Sequence, residues 1–237
     1  MRRQFFNHGR LSLLVIIYLL LSTGYNMIHT LGRGNDEFAH FQYVEYIAGN
    51  HRLPTTFDER GEAGYKSLLP PLYHGLAAIF SSWAEVEEVT FKRVKYGDIP
   101  QQALIYEVTD IPWVLPTEIM KFPYQGAVLR WHLSRLLSGI LTVGVVVVTY
   151  FATLHLLPNK KTSALIAAAS IAFIPRFVLS GASVTDDSLM SLLMAIYLFL
   201  ILRLVKKKPS EFREIQWWYF VLIGLTLGAA MMTKATV

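Results

Sequence analysis

Three side chains near the start of this 237-residue chain, Asp36, Glu37 and His40, have the types and spacing best suited to chemistry. Residues three and four apart share one face of a helix, so a helix beginning here groups all three. A carboxylate so placed at a membrane surface can act as a general base, its pKa raised by partial desolvation and a neighbouring like charge. The plainer reading is structural: Asn35 or Asp36 caps a helix start, and acids complement the positive end of its dipole. A cation site is the weaker alternative, because these residues make an incomplete ligand set. His40 then simply bonds a helix-start carboxylate. A second acidic group, Thr185-Asp186-Asp187, has capping of the helix that follows as its ordinary role. The chain has no cysteine, so disulfides, thiolate metal sites and cysteine nucleophiles are excluded.

The elements that must position these residues are membrane spans. No Asp, Glu, Lys or Arg falls between Arg10 and Arg33, and LSLLVIIYLLLSTGYNMI is long enough to cross a hydrocarbon layer of about 30 Å. Further apolar blocks cover 136–158, 162–175, 188–202 and 215–233, giving about five spans. The blocks at 162–175 and 188–202 are short and borrow length from 177–184 and 204–205. The first block reads as an uncleaved anchor rather than a signal peptide, since 22–29 offers a weak cleavage pattern. The net charge of +5 does not point to nucleic acid, because the basic residues cluster beside the apolar blocks. Arg2, Arg3 and Arg10, then Lys160 and Lys161, then Arg203, Lys206, Lys207, Lys208 and Arg213 all belong on the cytoplasmic side. The reading is an all-α protein of the inner membrane: residues 1–30 the amino terminus and first span, 31–132 an extracytoplasmic loop, 133–237 four further spans.

The loop is too long for a plain connector. NDEFAHFQYVEYIAGN reads as an aromatic-rich helix, and LPPLYHGLAAIFSSWAEVEEV as a second, opened by Pro70 and Pro71. Both carry apolar faces for the membrane surface or the spans. HRLPTTFDERGEAGYKS between them reads as a polar linker, and 90–122 as irregular with a hairpin at most. Helix resumes near Tyr124 and runs through Arg130 and Arg135 into the second span.

NDEFAHFQYVEYIAGNHRLP, PPLYHGLAA, RLLSGILTVGVVVVTYFATLHLLP, IPRFVLSGASVTDDSLM and GLTLGAAMMTKAT resemble, in order, the amino-terminal half of bacterial GT-C membrane glycosyltransferases. The protein O-mannosyltransferases and lipid A aminoarabinose transferases are the relatives they resemble. That resemblance implies an active site in the first outer loop, with Asp36 the general base and Glu37 positioning acceptor or donor. It implies a substrate role for Asp187, although Asp186 stands where the family more often has Asn. The donor implied is a polyprenyl-phosphate sugar, and the acceptor a lipid, glycan or protein. Its phosphate needs cationic partners, for which Arg135, Arg176 and Lys234 are the candidates, Arg135 first. Snorkelling to lipid headgroups is their ordinary alternative. Tyr73 and His74 are further candidates for substrate binding. No cofactor is implied with certainty.

The family's proteins are usually longer, so the chain reads as a fragment or truncated product. A non-catalytic subunit or pseudoenzyme of the same fold is the rival hypothesis. A transporter is the third and weakest, since only Pro175 beside Arg176 hints at a broken span.

Overall fold

A computed structural model describes residues 8–34, 36–84, 93–95, 110–114, 120–206 and 217–234. The described residues are overwhelmingly helical. Helix α1 (Gly9–Ile28) leads through a turn into α2 (Glu37–Asn50), α3 (Phe57–Glu62), a 3-10 turn (Tyr65–Leu68) and α4 (Leu72–Phe80). Strands β1 (Arg93–Lys95) and β2 (Asp110–Val114) pair antiparallel within the part of the loop read as irregular with a hairpin at most. Then follow α5 (Gly126–Leu156), α6 (Lys161–Ala172), α7 (Pro175–Gly181), α8 (Asp187–Val205) and α9 (Trp217–Met231).

Among the described residues three helices, α1, α5 and α8, are long and apolar enough to cross a membrane, at 20, 31 and 19 residues. The third expected span is broken: α6 and α7 meet at 71° across Phe173 and Ile174. Pro175 explains the break, because it disfavours helix for Ile174 and restarts it at the first position of α7. Helix α9 is apolar but only 15 residues long.

The segment read as a polar linker is ordered. Thr56 and Glu59 form a reciprocal capping box that starts α3. Helix α4 ends at Phe80, earlier than its apolar sequence suggests, with Ser81 at its carboxy-terminal cap.

At 31 residues, α5 is about 46 Å long, so it exceeds a bilayer core by several turns. Its first turns carry a shelf for the loop. Phe41 of α2 stacks on Trp131 with centroids 4.1 Å apart, worth about 0.5–1.5 kcal/mol beyond burial. Val44, Tyr73, Ala77, Val128 and Val184 fill the same core. Arg130 of α5 meets Glu45 of α2 at 2.8 Å and donates to the Ala84 carbonyl at 2.8 Å. The aromatic helices therefore pack against the span bundle, while Trp83 faces outward.

A second core joins α1, α5, α6 and α7 through Leu14, Tyr18, Val146, Ala164, Ala168 and Val178. Small residues let these backbones approach, as they do between helices in lipid. At Gly181 a Cβ would lie 2.6 Å from the Thr142 hydroxyl and 2.7 Å from that of Tyr18, so only glycine closes this three-helix crossing. Leu13, Leu20, Ile28, Leu198 and Leu225 remain exposed on outer faces suited to lipid or further spans.

Candidate active site

Glu37 is the anchor of the turn between α1 and α2. Its carboxylate accepts the N–H groups of Gly32 and Gly34 at 3.1 and 3.3 Å, and that of Val184 at 3.0 Å. Arg135 donates to both of its oxygens, at 2.6 and 2.8 Å. The remaining Arg135 donors reach the carbonyls of Asn26, His29 and Thr30 at 2.9, 2.7 and 3.1 Å, where they complement the negative end of α1. Burial works against the charge on Glu37, yet Arg135 beside it holds the carboxyl below its ordinary range. Both side chains are fully buried.

Asp36, next to this pair, is different in every respect. Its backbone is left-handed, with φ 57°, and its side chain makes no capping bond. A non-glycine residue held there costs about 1–3 kcal/mol and draws attention to the site. The carboxylate is half exposed; Tyr65 hydrogen-bonds it and the Lys66 ammonium stands 3.2 Å away. Both come from the 3-10 turn. Tyr65, then Lys66, hold the Asp36 carboxyl below the usual range against the effect of partial burial. This corrects the expected upward shift: the like charge on Glu37 is neutralised by Arg135, and a cation stands closer. It also removes the capping role.

Asp36 lines a cavity of about 190 Å³ together with His40, Lys66, Arg176, Asp186, Asp187 and Lys234. The α1–α2 turn, α2, the 3-10 turn, α7, the α7–α8 loop with the first residue of α8, and the end of α9 supply these walls. The Leu72 N–H donates to the Met232 carbonyl at 3.1 Å, fastening the end of α9 to the loop and bringing Lys234 into the site. Lys234 donates to Asp187 at 2.6 Å and lies 3.7 Å from Asp186. Asp186 is buried, and its Oδ2 is without a hydrogen-bond partner. Burial raises its pKa, partly offset by Lys234. The cap of α8 is made by Thr185, whose hydroxyl accepts the Asp187 N–H at 3.3 Å, not by either aspartate.

His40 does not bond a helix-start carboxylate. Its Nδ1 lies 2.9 Å from Nε2 of His74, with the rings stacked, and its Nε2 lies 3.8 Å from Asp186. Burial pushes His40 down to about 2 and His74 down to about 3, so the pair is neutral at ordinary pH. Among the described residues no group of three or more His, Cys, Asp or Glu is arranged to hold a metal ion. Tyr73 is wholly buried, its hydroxyl bonded to Ser138 at 2.7 Å and accepting the Thr185 N–H at 3.1 Å.

The structure thus divides the candidates drawn from sequence. Asp36, Asp187, Arg176 and Lys234 face the cavity; Glu37, Arg135, Tyr73 and His74 stand behind its wall. Arg135, the first candidate for a phosphate, has its donors turned to Glu37 and the end of α1. Lys66 was not singled out in the sequence, where it sits in a segment read as linker. Its Gly64-Tyr65-Lys66 context was the available signal, because a glycine before a short aromatic and basic pair marks a turn that can present side chains.

Residues 131–237 match the family described as dolichyl-phosphate-mannose-protein mannosyltransferase. This part of the chain is GT-C-like. No curated protein and no solved structure matches the chain. The GT-C-like segment takes in Arg176, Asp186, Asp187 and Lys234 but begins after Asp36 and Lys66.

Proposed function

We propose that this chain transfers a sugar from a polyprenyl-phosphate donor to an acceptor at the outer face of the membrane, with Asp36 as general base. One observation carries the reading: a half-exposed carboxylate shares a cavity with four cations, Arg33, Lys66, Arg176 and Lys234. The acceptor hydroxyl gives its proton to Asp36 as its oxygen bonds to the anomeric carbon. The bond from that carbon to the phosphate oxygen breaks, and its electron pair leaves on polyprenyl phosphate. The anomeric centre inverts. Lys66, Arg176 and Lys234 bind the phosphate and stabilise the charge that develops on it. The family match supports the donor class, since its description names a lipid-phosphate sugar.

Sidedness has structural support. The start of α1 meets the end of α5, where His8 and Tyr150 hydrogen-bond at 2.9 Å, and Lys206 bonds the carbonyl of His155. Lys160 and Lys161 lie at that same end, opposite the cavity, as expected for a cytoplasmic face.

The test is Asp36→Asn in the full-length protein, purified in detergent, with transfer and donor binding measured separately. A general base contributes about a hundred- to ten-thousand-fold in rate, so turnover should fall by that range with donor binding kept. Near-normal turnover would remove Asp36 from the mechanism.

A further inference from the structure

Asp36 and Gly34 also line a second cavity, of about 510 Å³, whose lining does not include Lys234. Glu37, Gln42, Gly61, Gly64 and Tyr65 form other parts of its wall, and among the described residues no lysine or arginine lines it. Its size is ordinary for a small-ligand site of about 300–1,000 Å³. Gly64 shapes it: φ is +78°, and a Cβ there would lie 2.7 Å from the Gln42 side chain.

We propose that this second cavity seats a hydroxyl-bearing acceptor, and that the Tyr65 hydroxyl keeps the acceptor hydroxyl's place on Asp36 until the acceptor arrives. The inference rests on Asp36 being the general base. In an inverting displacement the nucleophile approaches the anomeric carbon from the face opposite the departing phosphate. The cations named for the phosphate line the first cavity, so the second, which also reaches Asp36 and is lined by none of them, is the one that suits the nucleophile. Its wall already holds an O–H group bonded to the Asp36 carboxylate, the one on Tyr65. An acceptor hydroxyl must make the same bond before it loses its proton. Tyr65 is 58% exposed and can swing away without disturbing the core.

The experiment uses membranes carrying the complete protein and its own acceptors, with the polyprenyl-phosphate sugar pool tritium-labelled. Transfer of label to membrane acceptors is compared with hydrolysis of the donor, in which water serves as nucleophile and needs no seat. Gly61→Trp is the blocking variant, since Gly61 lines the cavity and a Cβ there meets nothing within 4 Å. Transfer should fall about tenfold while hydrolysis and donor binding stay near normal. Tyr65→Phe removes the internal competitor, and the acceptor KM should fall about fivefold. Transfer unchanged in Gly61→Trp together with an unchanged acceptor KM in Tyr65→Phe overturns the proposal, as does equal loss of transfer and hydrolysis in both. Turnover surviving in Asp36→Asn would instead sink the assignment of the base. An inactive Asp36→Asn with both other variants normal sinks the acceptor seat alone.

Discussion

Glu37 and Arg135 stand 98 residues apart in the chain and meet in a doubly hydrogen-bonded ion pair, both fully buried. Through its other bonds this pair joins the end of α1, the turn holding Asp36, the shelf of α5 and the loop before α8. It sets where Asp36 stands, and neither partner lines the cavity that holds Lys66, Arg176 and Lys234.

Removing one partner should therefore be a folding defect first. Arg135→Met leaves a buried carboxylate uncompensated, and breaking such a pair costs about 3–5 kcal/mol. Thermal unfolding in detergent checks this. A variant with normal melting that loses only donor binding would move Arg135 to the phosphate.

The cavity cations should behave in the opposite way. Lys66→Met and Arg176→Met each remove one charge-assisted contact to the phosphate, weakening donor binding by about 1.5 kcal/mol, or roughly tenfold, with melting little changed. Titration with polyprenyl phosphate measures this, and wild-type affinity in both variants would contradict their role.

The histidine pair predicts a pH dependence of stability. His40 and His74 ionise near 6.5 when unfolded but only at about 2 and about 3 when folded. Below 6.5 the unfolded chain takes up protons that the folded one refuses. Their contribution is thus full above that pH and declines as pH falls toward the folded values. Melting temperatures of wild type and His74→Gln, followed from pH 8 to about 5, should show a shallower acid decline in the variant. Parallel curves would mean that the pair is not neutral in the fold.

Sidedness is open to direct labelling, because the chain has no cysteine of its own. A cysteine at Ser82, which is exposed on the loop, should react with an impermeant thiol reagent in intact cells, and one at Ser210 should not. The reverse pattern would invert the orientation and place the cavity inside.

The long apolar runs, the start of α2 after Asp36 and the passage of α5 through Arg130 and Arg135 were all legible in the sequence. Each is set by local composition: charge-free length makes a span, and helix continues where nothing breaks it. Even the break at Pro175 is local, although its angle is not. What the sequence could not divide was the set of polar residues. Asp36 and Glu37 are neighbours of similar chemistry, yet one lines the cavity and the other is locked to Arg135. Asp186 and Asp187 likewise part into one buried and one half-exposed carboxylate. Lys66 became visible only when the 3-10 turn carried it to Asp36, 30 residues earlier. Burial and ion pairing depend on which distant segment arrives beside a side chain. Those arrivals are decided by packing at Trp131, Gly181 and the end of α9, so residue type and spacing supply the candidates and only the tertiary fold assigns their places.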